Sequence, residues 1–244
     1  MNSNLTTGVI LAAGLGSRLK DRTKQMPKGF IEVDGQSLIE RSVATLLAAG
    51  VDRIIIGTGY LHEHFDALRG KYPIETFRNT EYSTTGSMYT LYELRHLINA
   101  PFLLLESDLL YENAAIDYLS NDPRENIILA SGATHSGDEV YIQASAENQL
   151  QQMSKDRATL THVTGELVGI TKLSVQALEA MSSFAEVQFN NGNQMLNYED
   201  ALVGIADVQN IHVKVIEELV WCEIDDENHL SRALKFVYPK IKAK

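Results

Sequence analysis

Four consecutive apolar residues, Val9-Ile10-Leu11-Ala12, read as a strand that must be covered on both faces, because successive side chains point to opposite sides. The same demand recurs at Ile54-Ile55-Ile56 within Arg53–Gly57 and at Phe102–Leu105. Segments of helical period lie between or beside these runs: Leu38–Ala49, closed by Gly50, then Leu61–Lys71, then Ser87–Leu97. In the last, Met88, Leu91, Leu94 and Leu97 recur three apart, with Ser87 expected as the cap. Phe30–Val33 and Ile74–Arg78 complete the early strands, and Asp34-Gly35 is a turn. Strands alternating with helices predict an α/β fold, a Rossmann-like and mostly parallel sheet with right-handed crossovers.

The pattern changes after about Asn126. Ile127–Ser131, Val140–Ala144, Gln149–Ser154 and Leu167–Leu173 read as strands with shorter polar connections, which predicts an antiparallel extension of the sheet. Ser174–Phe184 and Glu199–Val208 read as helices, Ile211–Ile216 and Leu219–Asp225 as strands, and Glu227–Val237 as a closing helix. No repeat or linker interrupts the 244 residues, so one domain is expected over 1–244.

A formal net charge of -11 argues against nucleic acid as a partner. The single Cys222 excludes an intramolecular disulfide and cysteine-rich zinc sites. The N-terminus lacks a basic, signal-like leader, and no apolar run approaches a membrane span, so a cytoplasmic location is expected, without a membrane partner.

On this acidic chain, five cations, Arg18, Lys20, Arg22, Lys24 and Lys28, follow the first strand closely. Ala12 and Ala13 leave room for a flat group, and Gly14 and Gly16 permit a turn whose backbone N–H groups approach an anion. Against the plain alternative, a tight βα turn with solvated lysines, positive charge beside a glycine-rich turn suggests a polyphosphate site. It is not a dinucleotide fingerprint, since Leu19 stands where a third glycine is needed, and no Gly-Lys-Ser/Thr of a P-loop is present. Asp108 follows one buried strand and Asp225 another, in Trp-Cys-Glu-Ile-Asp-Asp. Either can be a helix cap. Converging at strand ends, the two suit Mg²⁺, which takes one or two carboxylates plus phosphate oxygens. Asp226 suits the cap of the following helix.

Leu11-Ala-Ala-Gly-Leu-Gly-Ser-Arg18, with Pro27-Lys28 ten residues on, resembles the signature of nucleotidyltransferases that activate phosphorylated small molecules. Thr84-Thr-Gly-Ser-Met88, Leu103–Glu112 and Ser136-Gly-Asp-Glu-Val-Tyr141 narrow the resemblance to cytidylyltransferases of the phosphocholine type, and among those to ones acting on 2-aminoethylphosphonate. It runs from Val9 to Arg232. It implies the glycosyltransferase-A type of Rossmann-like sheet, with a nucleotide-binding half at 5–125 and an acceptor-binding half at 126–244. It implies nucleotide contacts at Leu11, Ala12, Ala13, Gly14, Gly16, Ser17, Thr85, Gly86 and Ser87. Arg18 and Lys28 would be catalytic, and Asp108 and Asp225 would hold Mg²⁺ as cofactor. The partners would be CTP and a small zwitterionic phosphonate or phosphate, with a homo-oligomer open.

The implied reaction is attack of a phosphonate or phosphate oxygen on the α-phosphorus of CTP, releasing pyrophosphate. Phosphocholine or phosphoethanolamine is the alternative acceptor, and a sugar 1-phosphate a more distant one. Tyr198, Glu199 and Asp200 after the turn-rich Asn190-Asn-Gly-Asn, with Asp138 and Glu139, are the candidate acceptor site. Glu199 and Asp200 equally suit a helix N-terminus. Tyrosines at 82, 111, 141 and 198 stand near carboxylates, which favours a primary ammonium over a quaternary one. Trp221 is expected in the core. The seven histidines are scattered, with His62 and His64 on a helix surface, and none is expected at the centre of the chemistry.

Overall fold

The computed structural model describes residues 5–19 and 22–244; Lys20, one of the five cations after the first strand, lies outside them. In chain order the strands are β1 Thr7–Ala12, β2 Glu32–Val33, β3 Gln36–Ser37, β4 Arg53–Thr58, β5 Ile74–Arg78, β6 Phe102–Glu106, β7 Leu109–Tyr111, β8 Ile127–Ser131, β9 Tyr141–Ala144, β10 Leu150–Ser154, β11 Gly165–Leu173, β12 His212–Ile216 and β13 Trp221–Glu223. The helices are α1 Leu38–Ala48, α2 His62–Leu68, α3 Ser87–Leu94, α4 Ala114–Ser120, α5 Val175–Asn190, α6 Tyr198–Gly204, α7 Glu227–Arg232 and α8 Tyr238–Ala243.

Nine strands make one mixed sheet, ordered β10-β9-β11-β6-β1-β4-β5, with β8 on β11 and β12 on β8. The strands β6, β1, β4 and β5 run parallel. β11 pairs antiparallel with β6, β8 and β9, and this is the antiparallel extension. Because β11 pairs with β6, strands from both halves of the chain share one sheet. The all-apolar runs alternate as their pleat dictates. Val9, Leu11 and Ile55 pack with α3, α5 and α6, while Ile10, Ile54 and Ile56 pack with α1, α2 and α4. Each such side chain contributes about 1.5–3 kcal/mol by leaving water.

A third cluster lies off the sheet. Leu19, Val33, Leu110, Ile224, Leu230 and Val237 join the glycine loop, the β2–β3 hairpin and the C-terminal helices. It brings the chain's C-terminal region back beside Lys28. Trp221–Glu223 pairs only with β7, a strand the sequence pattern did not reveal, and forms a separate ribbon instead of joining the main sheet.

Several boundaries differ from the sequence expectation. Lys28–Phe30 is a 3₁₀ turn, leaving only Glu32–Val33 extended. Gly86 caps α3, and Ser87 is its first helical residue. α5 continues past Phe184 to Asn190, and α6 stops at Gly204. The closing helix is interrupted by a π turn over Ala233–Val237, just ahead of Pro239, which lacks an N–H to continue the ladder. Among the described residues no helix is long and apolar enough to cross a membrane.

Candidate active site

The carboxyl ends of β1 and β6 open on a cleft of about 460 Å³. Leu11, Ala12, Ala13, Gly14, Gly16, Ser17, Arg18 and Lys28 line one side, and Thr85, Gly86, Ser87 and Tyr198 line another. All nine residues expected at the nucleotide therefore border one space. Of the two loop glycines, only Gly16 adopts a left-handed conformation (φ 62°). A Cβ there would stand 3.2 Å from Thr23 Cγ2 and 3.3 Å from Lys28 Cβ, so the glycine lets the loop fold tightly over Lys28.

The start of α3 offers fewer free donors than its sequence implies. The Gly86 N–H donates to the Gln194 carbonyl at 2.9 Å, and the Met88 N–H to the Leu196 carbonyl at 3.2 Å. The Ser87 hydroxyl accepts from the Tyr198 N–H at 2.9 Å, and the Thr85 hydroxyl donates to the Glu81 carbonyl at 2.8 Å. These groups fix the cleft wall and leave little to bind a phosphate.

Lys28 Nζ sits at the centre of the acids. It is bonded to both Asp108 and Asp225 and lies 3.6 Å from Glu223. Burial opposes its charge, but Asp108, Glu223 and Asp225 outweigh that cost and raise its pKa. Arg18 is bonded to Asp138 through Nη1, and its Nη2 lies 2.8 Å from Asp225. Asp108 Oδ1 and Asp225 Oδ2 are buried and have no partner among the described residues. Carboxylate oxygens of Glu106, Asp108 and Glu223 also lie within 4.8 Å of one another. Hard oxygen donors with unused lone pairs suit a divalent cation such as Mg²⁺.

A smaller cavity, about 80 Å³, opens beside the cleft. Glu106, Glu199, Glu223 and Lys155 line both spaces. Asp138, Glu139, Trp221 and His229 line the smaller one. Burial, followed by the charges of Glu199 and Asp108, raises Glu106 to about 8. Burial with Asp108 and Glu106 raises Glu223 to about 10, and burial with Asp200 and Asp108 raises Glu199 to about 7. Asp138 goes the other way, to about 2: burial resists its charge, but Lys155 and Arg18 overcome that. Gly169, left-handed at φ 80°, faces Glu106; a Cβ there would meet its carboxyl carbon at 3.0 Å. The phenol of Tyr198 donates to Glu106 Oε1 at 2.6 Å.

Asp200 stands apart from this group. Its carboxylate accepts from the Asn197 N–H at 3.0 Å and completes a capping box, and it borders neither cavity. Trp221 packs against the core but also forms a wall of the small cavity, and its indole N–H has no partner among the described residues. His229, passed over in the sequence, is buried at the site. Glu106, Glu223 and Lys155 were missed as well. A signal for the first two was available: Glu106-Ser-Asp108 and Glu223-Ile-Asp225 repeat one spacing at two strand ends. His62 and His64, as expected, stay at α2, away from both cavities.

A family model described as a MobA-like NTP transferase domain matches residues 8–169. A 2-aminoethylphosphonate cytidylyltransferase of Lancefieldella rimae is 25% identical, covering 94% of this chain and 92% of its own. A choline-phosphate cytidylyltransferase of Streptococcus pneumoniae is 35% identical over 43% of this chain and 46% of its own. The inositol-1-phosphate CTP transferase from T. maritima shares the fold with a TM-score of 0.82 at 19% identity, covering 99% of this chain and 98% of that one.

Proposed function

The chain belongs to the MobA-like NTP transferase family, and on that premise we propose that it transfers CMP from CTP to 2-aminoethylphosphonate, giving CMP-2-aminoethylphosphonate and pyrophosphate. The observation that carries this reading is the junction of the two cavities: largely buried Lys28 and half-exposed Arg18 stand where a triphosphate would lie, and a carboxylate-walled pocket opens beside them. The relative from Lancefieldella, alike over nearly its whole length, supports the acceptor.

In this reading an acceptor oxygen forms a bond to the α-phosphorus, and the bond from that phosphorus to the bridging oxygen of pyrophosphate breaks. A phosphoryl-type oxygen is already largely ionised near neutrality, with a second pKa of ~6, so no general base is required. The chain's task is to bring two anions together and stabilise the charge between them. Residues 11–17 bind the nucleotide by close backbone approach, with 85–87 as the opposite wall. Lys28 and Arg18 supply positive charge where the anions meet. Asp108 and Asp225 would hold Mg²⁺, with their unpartnered oxygens toward it. The ion, when bound, neutralises phosphate oxygens. Lys155, on the wall shared by both spaces, is suited to the acceptor's phosphonate.

The acceptor's amine end would enter the small cavity. An ammonium removed from water must be paired, and a primary one has three donors for carboxylates. Glu106, Glu199 and Glu223 suit that: burial raises their pKa values to about 8, about 7 and about 10, and a paired ammonium would favour their charged forms. Asp138 and Glu139 close the pocket's outer side, and Tyr198 fixes Glu106. A trimethylammonium wants several aromatic faces, and this pocket has Trp221 as its aromatic wall. Asp200 is left to its cap. The reaction is proposed for the cytoplasm, on the ground that one buried cysteine leaves the fold without a disulfide. Pyrophosphate release measured with CTP, UTP, ATP and GTP, each against 2-aminoethylphosphonate, phosphoethanolamine, phosphocholine and a sugar 1-phosphate, tests the reading. Release with CTP and 2-aminoethylphosphonate is expected, and release with a sugar 1-phosphate alone would refute it.

A further inference from the structure

Two segments meet at the active site without being neighbours in the chain. One is the end of the β13 ribbon, which carries Asp225. The other is the loop between β8 and β9, which carries Asp138. On the cleft side they are bridged by Arg18, which reaches Asp138 with Nη1 and lies 2.8 Å from Asp225 with Nη2. Arg18 is half-exposed, at 54% of its side chain. In the proposed function it turns to phosphate, so this bridge opens when substrate binds.

A second bridge lies behind it and is shielded from solvent. His229 is 9% exposed. Its Nδ1 accepts from the Asp225 N–H at 3.3 Å, and its Nε2 faces the Ser136 carbonyl at 3.2 Å. One ring nitrogen meets a donor and the other an acceptor, so a single neutral tautomer, protonated on Nε2, serves both. The ring's own base is fixed, because Asp226 caps α7 by accepting from the His229 N–H at 2.8 Å. One turn on, Arg232 donates to the Thr134 carbonyl at 2.7 Å. The loop so gripped turns through two left-handed residues, His135 and Gly137, at φ 55° and 94°, and the Gly137 N–H donates to Glu139 within it at 3.0 Å. Glu166 holds the same flank, accepting from the Thr134 N–H at 2.8 Å.

We propose that His229 is a positioning residue that keeps the Asp138 loop in register with Asp225 once substrate has drawn Arg18 away. It touches neither reacting atom. It holds the acceptor side of the site to the cation side through two backbone groups, so its loss is felt by the acceptor before the nucleotide. This rests on the reading of the small cavity as the acceptor pocket.

The experiment compares His229→Ala, His229→Leu and His229→Gln with the wild type in two measurements. In steady state with CTP and 2-aminoethylphosphonate, Ala and Leu raise the KM for the acceptor about tenfold and leave that for CTP within about twofold. Gln, which can accept and donate at similar reach, recovers most of the loss. In hydrogen exchange with nucleotide bound and no acceptor, the amides of 136–139 exchange faster in Ala and Leu than in wild type, while β1 and β6 are unchanged. Equal effects on both KM values, no rescue by Gln, or unchanged exchange in 136–139 would overturn the proposal. Should Ala or Leu fail to fold, Gln with wild-type exchange and acceptor KM still supports the bridge, and Gln with an altered ratio of the two KM values refutes it. If the wild type does not turn over 2-aminoethylphosphonate, the acceptor reading fails by itself, and the exchange data alone decide the role of His229.

Discussion

One buried acid and a group of buried acids lie at opposite ends of the same sheet, and they are neutralised in opposite ways. Around Asp122 the charges close on themselves. Its carboxylate accepts from Arg124 Nε at 2.7 Å and from Lys214 Nζ at 2.9 Å, and Lys172 donates to its carbonyl at 2.7 Å. Arg124 foremost, helped by Lys214, holds Asp122 well below the usual carboxylate range against its burial. At the carboxyl end of β6 the arithmetic does not close. Glu106, Glu199 and Glu223 are pushed up, chiefly by burial, and Asp108 and Asp225 each keep a buried oxygen without a partner. The first acid is matched by cations of its own; in the second group Lys28 and Arg18 are outnumbered by five carboxylates.

The largest expected effects separate the two ends outright. Asp108→Asn and Asp225→Asn should each remove most turnover, on the order of 10³-fold, with no loss of thermal stability. Lys28→Ala should lower kcat on the order of 10²–10³-fold, more than it raises the KM for CTP. Asp122→Asn should do the converse, costing about 2–3 kcal/mol of stability, a figure reduced because Arg124 and Lys214 reach solvent, while the folded enzyme keeps its rate. Melting curves beside initial rates at limiting Mg²⁺ would show whether the division holds.

The same comparison fixes the sign of the pH dependence. Glu199 and Glu106 have pKa values raised from 4.5 to about 7 and about 8, so their contribution to stability is complete below pH 4.5. It is lost as pH rises through 7 and 8. Asp122 is depressed from 3.8, so its contribution is present above that value and lost as pH falls further into acid. Denaturant unfolding of the ligand-free protein should therefore show declining stability from pH 5 to 8, flattened in Glu199→Gln. A curve that rises across that range would refute the assignment. The smallest effect concerns Asp200, which completes the cap of α6 and borders neither cavity: Asp200→Ala should cost about 0.5–1 kcal/mol and leave the acceptor KM unchanged.

What the sequence made legible was whatever depends on neighbours along the chain. Ile54-Ile55-Ile56 reads as a strand covered on both faces and is buried throughout, and the glycine loop and Lys28 line one cleft. What it hid depends on neighbours in space. Asp200 and Glu199 are adjacent and read alike, yet one completes the cap of α6 and the other turns into both cavities. Ser87 has the composition of a cap but is held by Tyr198, from a segment more than a hundred residues away. Lys155 and His229 carry no motif at all. Only the closure of β10 and α7 over the end of β6 makes them part of the site.

A pocket walled by carboxylates should choose a primary ammonium over a quaternary one. The most direct measurement is the ratio of kcat/KM for 2-aminoethylphosphonate to that for phosphocholine, with CTP saturating, in wild type and Glu199→Gln. A ratio of at least ~10, equivalent to ~1.4 kcal/mol, is expected in wild type, shrinking in the variant. Equal or better use of phosphocholine by the wild type would contradict the account.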